Sequence, residues 1–551
     1  MIFRKGGLRM EKKKTTFMGN VAAILGSQVL IKLIGFIYNQ VLINMPGFGD
    51  LGNGYRTAGY QVYTMLLAIS SVGIPNAISK LISERLTLGD RRGAERVFQT
   101  ALRLFALIGV AGTVLLYAGA DFIALKLVRM DGVQDTLRAL SPSILFVCLS
   151  SVIRGYFLGQ QNVRPNNRSQ TLEQIFKATL TILIVWLLSS TTAARMAAGA
   201  NLATSISTAL SFFYLVVVLI TFRRRNHMPR ASRAAPDHWK QTARQILSLS
   251  IPISLSSIIT TVARVVDTAT ISRGIARAFA NGIPGAEGIP TEAQLQAYAA
   301  QMSGMLNKAD NITNLPLAIN IAFATVLVPT IAAALAAGDR KTASRKISYS
   351  YLISTLIILP CAAGLILLAK PFFLVFYPRA SEGAPLLQWA AVALIFTALD
   401  QTICGSLQGL GRVRVPACGL LCGVAVKFIL NLILIRIPSV NIYGAVISSV
   451  ACHLVAFTVC FTALRRTIPL HMPRQKYFVK PIVCTLAMSL VTWGSYKLCM
   501  LVLKSNLVSV AVSVVLSVIT YAFCVIKLHV LNRKEIIELP GGTRLVRLLK
   551  L

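Results

Sequence analysis

A chain of 551 residues that is 55% hydrophobic and only 14% charged departs from ordinary soluble domains, in which about 25% of residues are charged. Apolar runs of ~20 residues recur along nearly the whole length, each long enough to cross a ~30 Å hydrocarbon core as helix. The alternating strands of roughly ten residues that build outer-membrane barrels are absent. The net charge of +37 could suit nucleic acid, but the cations sit mostly in short loops between apolar runs. That is the pattern of topology signals beside an anionic leaflet, and it argues against a nucleic-acid partner.

The ten cysteines are scattered and nearly all lie inside apolar runs. Cys418 and Cys422 share a helix face, yet no second pair or histidine completes a tetrahedral set, so they read as small buried apolar residues. The five histidines do not cluster, and neither a catalytic triad nor a glycine-rich phosphate loop is visible. The expectation is a protein with no disulfide framework, no metal, no cofactor and no enzymatic activity. Nothing in the residues names a coupling ion.

In chain order, the N-terminal tail (1–18) carries Arg4, Lys5, Arg9, Lys12, Lys13 and Lys14. The apolar run behind it extends to about Ile43, contains Lys32 and lacks a small-x-small cleavage site, so it reads as a retained first helix. Met10, opening MEKKKTT, is an alternative start to Met1. Fourteen spans are expected, centred near residues 31, 70, 108, 149, 180, 210, 259, 323, 358, 397, 426, 453, 491 and 517. Of the 56 Lys and Arg, 36 fall in the tails and the loops after even-numbered spans, 13 in the opposite loops and seven within spans. The positive-inside rule then predicts both termini in the cytoplasm of a multi-pass plasma-membrane protein. The segment 274–308, rich in Ala, Gly and Gln, reads as the longest external loop, either flexible or carrying a short surface helix.

The sequence is duplicated. Arg154 to Lys177, RGYFLGQQNVRPNNRSQTLEQIFK, matches Cys404 to Asn431: Gly155 with Gly405, Gly159 with Gly409, Val163-Arg164 with Val413-Arg414, Lys177 with Lys427. Gly89-Asp90-Arg91-Arg92 likewise parallels Gly338-Asp339-Arg340-Lys341, and Phe146 parallels Phe396. The fold class that follows is all-α, with two parallel six-helix repeats in two lobes around a central cavity and two extra C-terminal helices. The expected segments are an N-lobe at 19–222, a basic linker at 223–244 and a C-lobe at 245–466. The last two helices fall at 479–529 and a cytoplasmic tail at 530–551, where an interfacial helix is one option.

A charged side chain near the bilayer centre costs ~2.5–3.5 kcal/mol even on the lenient insertion scale, so such residues usually face a cavity or a partner. The embedded cations are Lys32, Lys80, Arg154, Lys177, Arg264 and Lys427; the embedded acids are Glu173, Asp267 and Asp400, with Asp310 read as lying at an edge. Gln28 adds a polar group beside Lys32. Glu173 and Lys177, i,i+4 on one helix, are either a structural pair or substrate contacts, and Arg264 with Asp267 at i,i+3 reads as a pair. Lys80 and Arg154 could snorkel to headgroups. Lys32 lies ~20 Å into its span, and Lys427 has no acid within one turn. The excess of cations suits an anionic substrate, most simply a phosphate or pyrophosphate.

Specific wording adds a resemblance. Lys32-Leu33-Ile34-Gly35-Phe36-Ile37-Tyr38, Gly54-Tyr55, Tyr60-Gln61-Val62-Tyr63 and the stretch Gly73-Ile74-Pro75-Asn76-Ala77-Ile78-Ser79-Lys80-Leu81-Ile82-Ser83-Glu84 resemble the opening of the stage V sporulation protein B family. That family is close to the MurJ-type lipid II flippases of the multidrug/oligosaccharidyl-lipid/polysaccharide exporter superfamily. Arg154-Gly155-Tyr156-Phe157 with Ser169-Gln170 and Glu173-Gln174 resembles its fourth-to-fifth helix turn. Gln408-Gly409-Leu410-Gly411-Arg412, Pro416, Lys427, Asn431 and Gly444-Ala445 resemble its tenth-to-twelfth helix segment. The resemblance covers about 15–530. It implies alternating access that turns a lipid-linked oligosaccharide, such as lipid II on undecaprenyl pyrophosphate, across the membrane for peptidoglycan or spore-cortex synthesis. It also implies diphosphate binding by N-lobe cations, with Lys32, Lys80 and Arg154 matching best, a tail groove on the last two helices, and a monomer among membrane lipids and cell-wall synthesis proteins. Leu158, Asn166-Asn167 and Arg264 depart from the family's pattern. The alternatives are a multidrug/cation antiporter of the same superfamily, which would favour cavity acids, and a polyprenyl-phosphate-handling membrane enzyme.

Overall fold

The computed structural model describes residues 17–68, 73–160, 162–226, 238–284, 288–412, 414–532 and 535. Most of the N-terminal tail with Met10, the middle of the basic linker, the centre of the expected second span and the C-terminal segment from 536 lie outside the described residues. The described chain is helical, without strands.

Seventeen α-helices follow one another among the described residues: α1 Phe17–Ile43, α2 Gly49–Ala68, α3 Ile74–Thr87, α4 Arg91–Ala118, the short α5 Ala120–Phe122, α6 Val133–Gly159, α7 Arg164–Leu187, α8 Ala193–Asn226, α9 His238–Ala278, α10 Glu292–Ala336, α11 Arg340–Leu367, α12 Ala369–Phe376, α13 Ala384–Gly409, α14 Arg414–Leu434, α15 Tyr443–Thr467, α16 Lys480–Leu503 and α17 Asn506–Lys527. Nine of the described helices are long and apolar enough to span a membrane by length and composition: α4, α6, α8, α11, α13, α14, α15, α16 with the turn before it, and α17. The chain is an integral membrane protein.

The duplication is visible in the packing. In the first half α6 packs on α4 and α8, and α7 lies against α1 and α8; in the second half α13 packs on α11 and α15, and α14 lies against α9 and α15. Local chemistry repeats too. Asp90 caps α4 by accepting from the Gly93 N–H (2.7 Å), and Asp339 caps α11 by accepting from the Thr342 N–H (2.9 Å). Before each stands a glycine at positive φ, Gly89 at 77° and Gly338 at 75°, which lets the chain reverse without a Cβ clash. On α6, Gly155 and Gly159 seat α3 so closely that a Cβ at either would meet Ile78 or Ile82 within 2.9 Å, the small-residue packing of membrane helices. Their repeat partners Gly405 and Gly409 are buried on α13. Helices α16 and α17 pack on each other, α16 against α11 and α17 against α12.

One sequence expectation fails here. The helix in 274–308 is neither short nor confined to the surface: 274–278 close the 41-residue α9, and 292–308 form the first turns of the 45-residue α10. Ala is the strongest helix former, and this stretch buries Ala299, Ala300 and Met305 against α2, so composition that looked loop-like is a packed helix face.

Candidate functional site

Polar side chains converge where α1, α2 and α7 meet. On α1 the apolar residues Leu30, Leu33, Ile37 and Val41 are exposed while Tyr38, Asn39 and Leu42 are buried, so the helix turns its apolar stripe outward and a polar stripe inward. At 100° per residue Lys32 falls with Gly35 and Asn39 on the inner stripe, and its side chain is exposed there. Gly35 abuts α7, where an added Cβ would sit 3.2 Å from Gln174 Nε2. One turn along α7, Lys177 Nζ lies 4.4 Å from the centroid of the Tyr60 ring. Tyr38 and Arg56 are its electrostatic neighbours. Arg56 on α2 donates to Asn39 Oδ1 (2.7 Å) and Asn53 Oδ1 (2.9 Å), and Asn201 donates to the Arg56 carbonyl (3.2 Å). From Lys32 to the level of Tyr38 is about 9 Å of helix. Lys32, Lys177 and Arg56 therefore form a ladder of cations on one wall. Among the described residues no carboxylate lies within 4 Å of any of the three.

The other embedded charges are neutralised, and not as local spacing suggested. Glu173 pairs with Arg154 (Nη2–Oε2 2.8 Å) instead of Lys177. Arg154 also donates to the hydroxyls of Ser169 (3.2 Å) and Ser211 (3.3 Å), which ties α6, α7 and α8 together. Asp267 pairs with Lys427 (2.5 Å) instead of Arg264 and accepts from Asn431 Nδ2 (2.9 Å). Asn431 Nδ2 also reaches Thr270 Oγ1 (3.0 Å), so the network joins α9 to α14. An i,i+3 or i,i+4 partner gains a few tenths of a kcal/mol on an exposed helix; a desolvated partner on a facing helix wins once packing brings it into contact. Arg264 is exposed. Asp310 is not at an edge: Lys427, Asp267 and Arg264 are its charged neighbours. Its side chain is exposed in the described structure. Lys80 is exposed and 3.8 Å from Glu84, one turn on. Asp400 is buried between α13 and α15 with Cys404 and His453 as neighbours, apart from these networks. The side chain of Gln28 lies outside those described.

Three charged residues that the sequence reading did not single out lie in these contacts: Arg56, Asp50 and Lys308. Lys308 is fully buried and donates to Asp50 (2.8 Å) and to the carbonyls of Ala380 (2.5 Å) and Glu382 (2.9 Å). This joins α2 of one lobe to α10 of the other. Around it Asn53 donates to the Gly304 carbonyl (3.0 Å) and Gln40 to the Tyr377 hydroxyl (3.1 Å), and Asn44 donates to the Phe376 carbonyl (2.8 Å). Gly54 and Gly304 allow backbone contact, since a Cβ at either would fall within 2 Å of a carbonyl oxygen opposite, that of Ala300 or Asp50. The lobes are thus zipped at the end where α1 passes into α2. A buried pair with hydrogen bonds to the remaining donor positions can offset its desolvation.

Comparison with known proteins agrees with this architecture. The family model described as polysaccharide biosynthesis protein matches residues 17–335, and the one described as lipid II flippase MurJ matches residues 294–525. Among curated relatives, lipid II flippase MurJ of Bacillus subtilis (strain 168) is 24% identical over 466 residues, covering 81% of this chain and 82% of the relative. Stage V sporulation protein B of the same organism is 23% identical over 477 residues, covering 86% and 88%. Among solved structures, lipid II flippase MurJ in an inward closed conformation aligns with a TM-score of 0.66 at 16% identity, covering 93% of this chain and 99% of that one. The two matched regions overlap and together run from α1 into α17, and the chain belongs to the polysaccharide biosynthesis protein family.

Proposed function

We propose that the protein is a flippase for a lipid-linked oligosaccharide, carrying an undecaprenyl-pyrophosphate-linked glycan such as lipid II between leaflets by alternating access. One observation carries this reading: the ladder of Lys32, Lys177 and Arg56 on the inner wall of the N-lobe, held by neutral partners. Cations whose carboxylate partners are missing leave charge-assisted hydrogen bonds for a ligand, and a diphosphate offers oxygens enough for all three. The paired Arg154 and Lys427 are already satisfied and serve the frame. The relatives named for lipid II flipping and for sporulation support the substrate class, and they leave peptidoglycan or spore cortex as the destination. A cation antiporter is disfavoured by the same ladder, which would repel its substrate. We further propose the plasma membrane as location, both termini in the cytoplasm and a monomer as the working unit.

The test is translocation of labelled lipid II by the reconstituted protein. Lys177→Ala and Arg56→Ala should each reduce the rate by about tenfold or more, the loss of roughly one charge-assisted hydrogen bond of 1.5–3 kcal/mol. Lys32→Ala should fall similarly with little change in thermal stability, because its side chain is exposed. Folded wild-type protein that moves no lipid II while moving another polyprenyl-linked glycan would narrow the substrate; one that moves neither would refute the function.

A further inference from the structure

A cavity of about 560 Å3 opens at the zipped end of the molecule, where α1 passes into α2. It stands apart from the cation ladder, because its first lining residue, Ile43, lies about 16 Å of helix beyond Lys32. Each lobe supplies part of the wall. The N-lobe contributes Ile43 and residues 45–51, and the C-lobe contributes Gln301 of α10 with residues 378–382 between α12 and α13. Asp50, held by Lys308, reaches this wall from the lobe junction itself.

The lining narrows what the cavity can take. Its volume falls within the range of about 300–1,000 Å3 usual for small-molecule sites. Lys308 neutralises Asp50, and the other charged lining residues are Arg379 and Glu382, one of each sign, so the wall selects neither anion nor cation. Arg379 is partly committed: its Nη1 donates to the Asn44 carbonyl (3.1 Å) and its N–H to Asn44 Oδ1 (3.3 Å). By contrast, among the described residues the side chains of Gln301, Ser381 and Glu382 have no hydrogen-bond or ion-pair partner. Together they offer amide and hydroxyl donors beside amide, hydroxyl and carboxylate acceptors. Met45 and Pro378 add apolar surface between them. A balanced wall of this kind suits an uncharged ligand that carries hydroxyls and amides on an apolar ring, which is the chemistry of an acetamido sugar. The Gln301 amide can both donate to and accept from such an acetamide, and the apolar surface can take its methyl group.

We propose that this cavity is an outer site for the N-acetylated amino sugars of the translocated headgroup, and that a sugar bound there holds the lobes zipped. The proposal rests on the flippase reading, which supplies the glycan and puts this end of the molecule outside. Because both lobes line the cavity, it is complete only while they are zipped. A ligand that touches both walls binds the zipped state more tightly and shifts the equilibrium toward it. Delivered headgroup that stays in the cavity, or returns to it, therefore slows the next cycle, which is product inhibition from the outer side.

The probe is the soluble dimer of N-acetylglucosamine, with maltose as a disaccharide that lacks acetamides. In saturation-transfer NMR on the full-length protein in detergent, the acetamide methyl groups of the dimer should receive saturation and maltose should receive none. Gln301→Ala and Glu382→Gln, whose side chains make no contact across the lobe junction, should each lose most of the signal. Lys32→Ala, in the ladder, should keep it. On the outer side of proteoliposomes, about 10 mM dimer should slow lipid II translocation at least about threefold if it binds with a Kd of about 1 mM, and Gln301→Ala should relieve the inhibition. The proposal is overturned if the dimer receives no saturation, if maltose matches it, if the signal survives in both cavity variants, or if Lys32→Ala removes it. Protein that binds the dimer at this cavity but moves no lipid II refutes the flippase reading and leaves the sugar site standing. Protein that moves lipid II at a rate the dimer does not alter refutes the lock.

Discussion

Lys427 shows how a residue's meaning changes when the third dimension is added. Along the sequence it is a lone lysine in an apolar helix, the profile of a ligand-seeking cation. In the fold it is 7% exposed and bonded at 2.5 Å to Asp267, which Asn431 also holds. Removing one partner of such a pair strands the other, at a cost of about 3–5 kcal/mol in a buried setting, whereas replacing both by apolar residues can be neutral. Lys427→Ala should therefore lower the thermal midpoint of the purified protein, and the double variant Lys427→Leu with Asp267→Leu should recover most of the loss. If Lys427→Ala leaves the midpoint unchanged and abolishes only transport, the residue belongs to the substrate and the pair does not hold the frame. Lys32 and Lys177 were legible as embedded cations because depth in a span can be counted along the chain. Pairing was not legible: Glu173 with Arg154 spans 19 residues, Asp267 with Lys427 spans 160, and Asp50 with Lys308 spans 258.

At the level of elements the sequence was more readable, because helix starts are written locally. Gly-Asp before Arg-Arg and Gly-Asp before Arg-Lys give the same device in the two repeats, a left-handed glycine followed by an aspartate N-cap. The Asp90 carboxyl is held below its ordinary value of 3.8 first by the Gly93 N–H and then by Arg85. Asp339 is held below 3.8 first by its side-chain bond to Thr342 and then by the Thr342 N–H. A carboxyl depressed by folding contributes stability that is present above its unfolded value and lost as pH falls through its folded value. The cap contributions should thus be constant at neutral pH and fade only on acidification below about pH 4. Asp90→Asn, which keeps an acceptor for Gly93, should remove that acid-limb dependence while preserving most of the neutral stability; Asp90→Ala should lose both. Thermal midpoints across pH for the three proteins decide it. What local signals could not supply was the helical nature of 292–308, whose small residues earn their helix only by packing against α2.

For the whole molecule, the proposed alternating access would require two contact sets that cannot be satisfied together, and the lobes are joined by one candidate set. The lobes meet through Lys308, Asp50 and the two carbonyls of the α12–α13 connection, through backbone contact at Gly54 and Gly304, and through Phe36 edge-on to Phe376 at 5.2 Å. Every part of this zipper must separate for this end of the path to open, and Lys308, fully buried with three acceptors, is its most committed member. A state held shut by a differential contact shifts when that contact is weakened, in proportion to the free energy removed. Replacing Lys308 by Gln keeps length and some hydrogen bonding while removing the ion pair, so the zipped state should lose population without the fold being lost. Ala300, 0% exposed at this interface beside Gly54, is the reporter position. In a background lacking the ten native cysteines, Ala300→Cys should react slowly with a membrane-impermeant thiol reagent in the otherwise unaltered protein. Adding Lys308→Gln should speed the reaction about tenfold, the effect of moving the equilibrium by roughly 1.4 kcal/mol. Gly304→Leu, which forces a side chain against the Asp50 carbonyl, should speed it further by steric exclusion. Unchanged reactivity in both would mean that this end stays closed through the transport cycle, and that the pair of Asp50 and Lys308 is a fixed hinge about which the lobes turn.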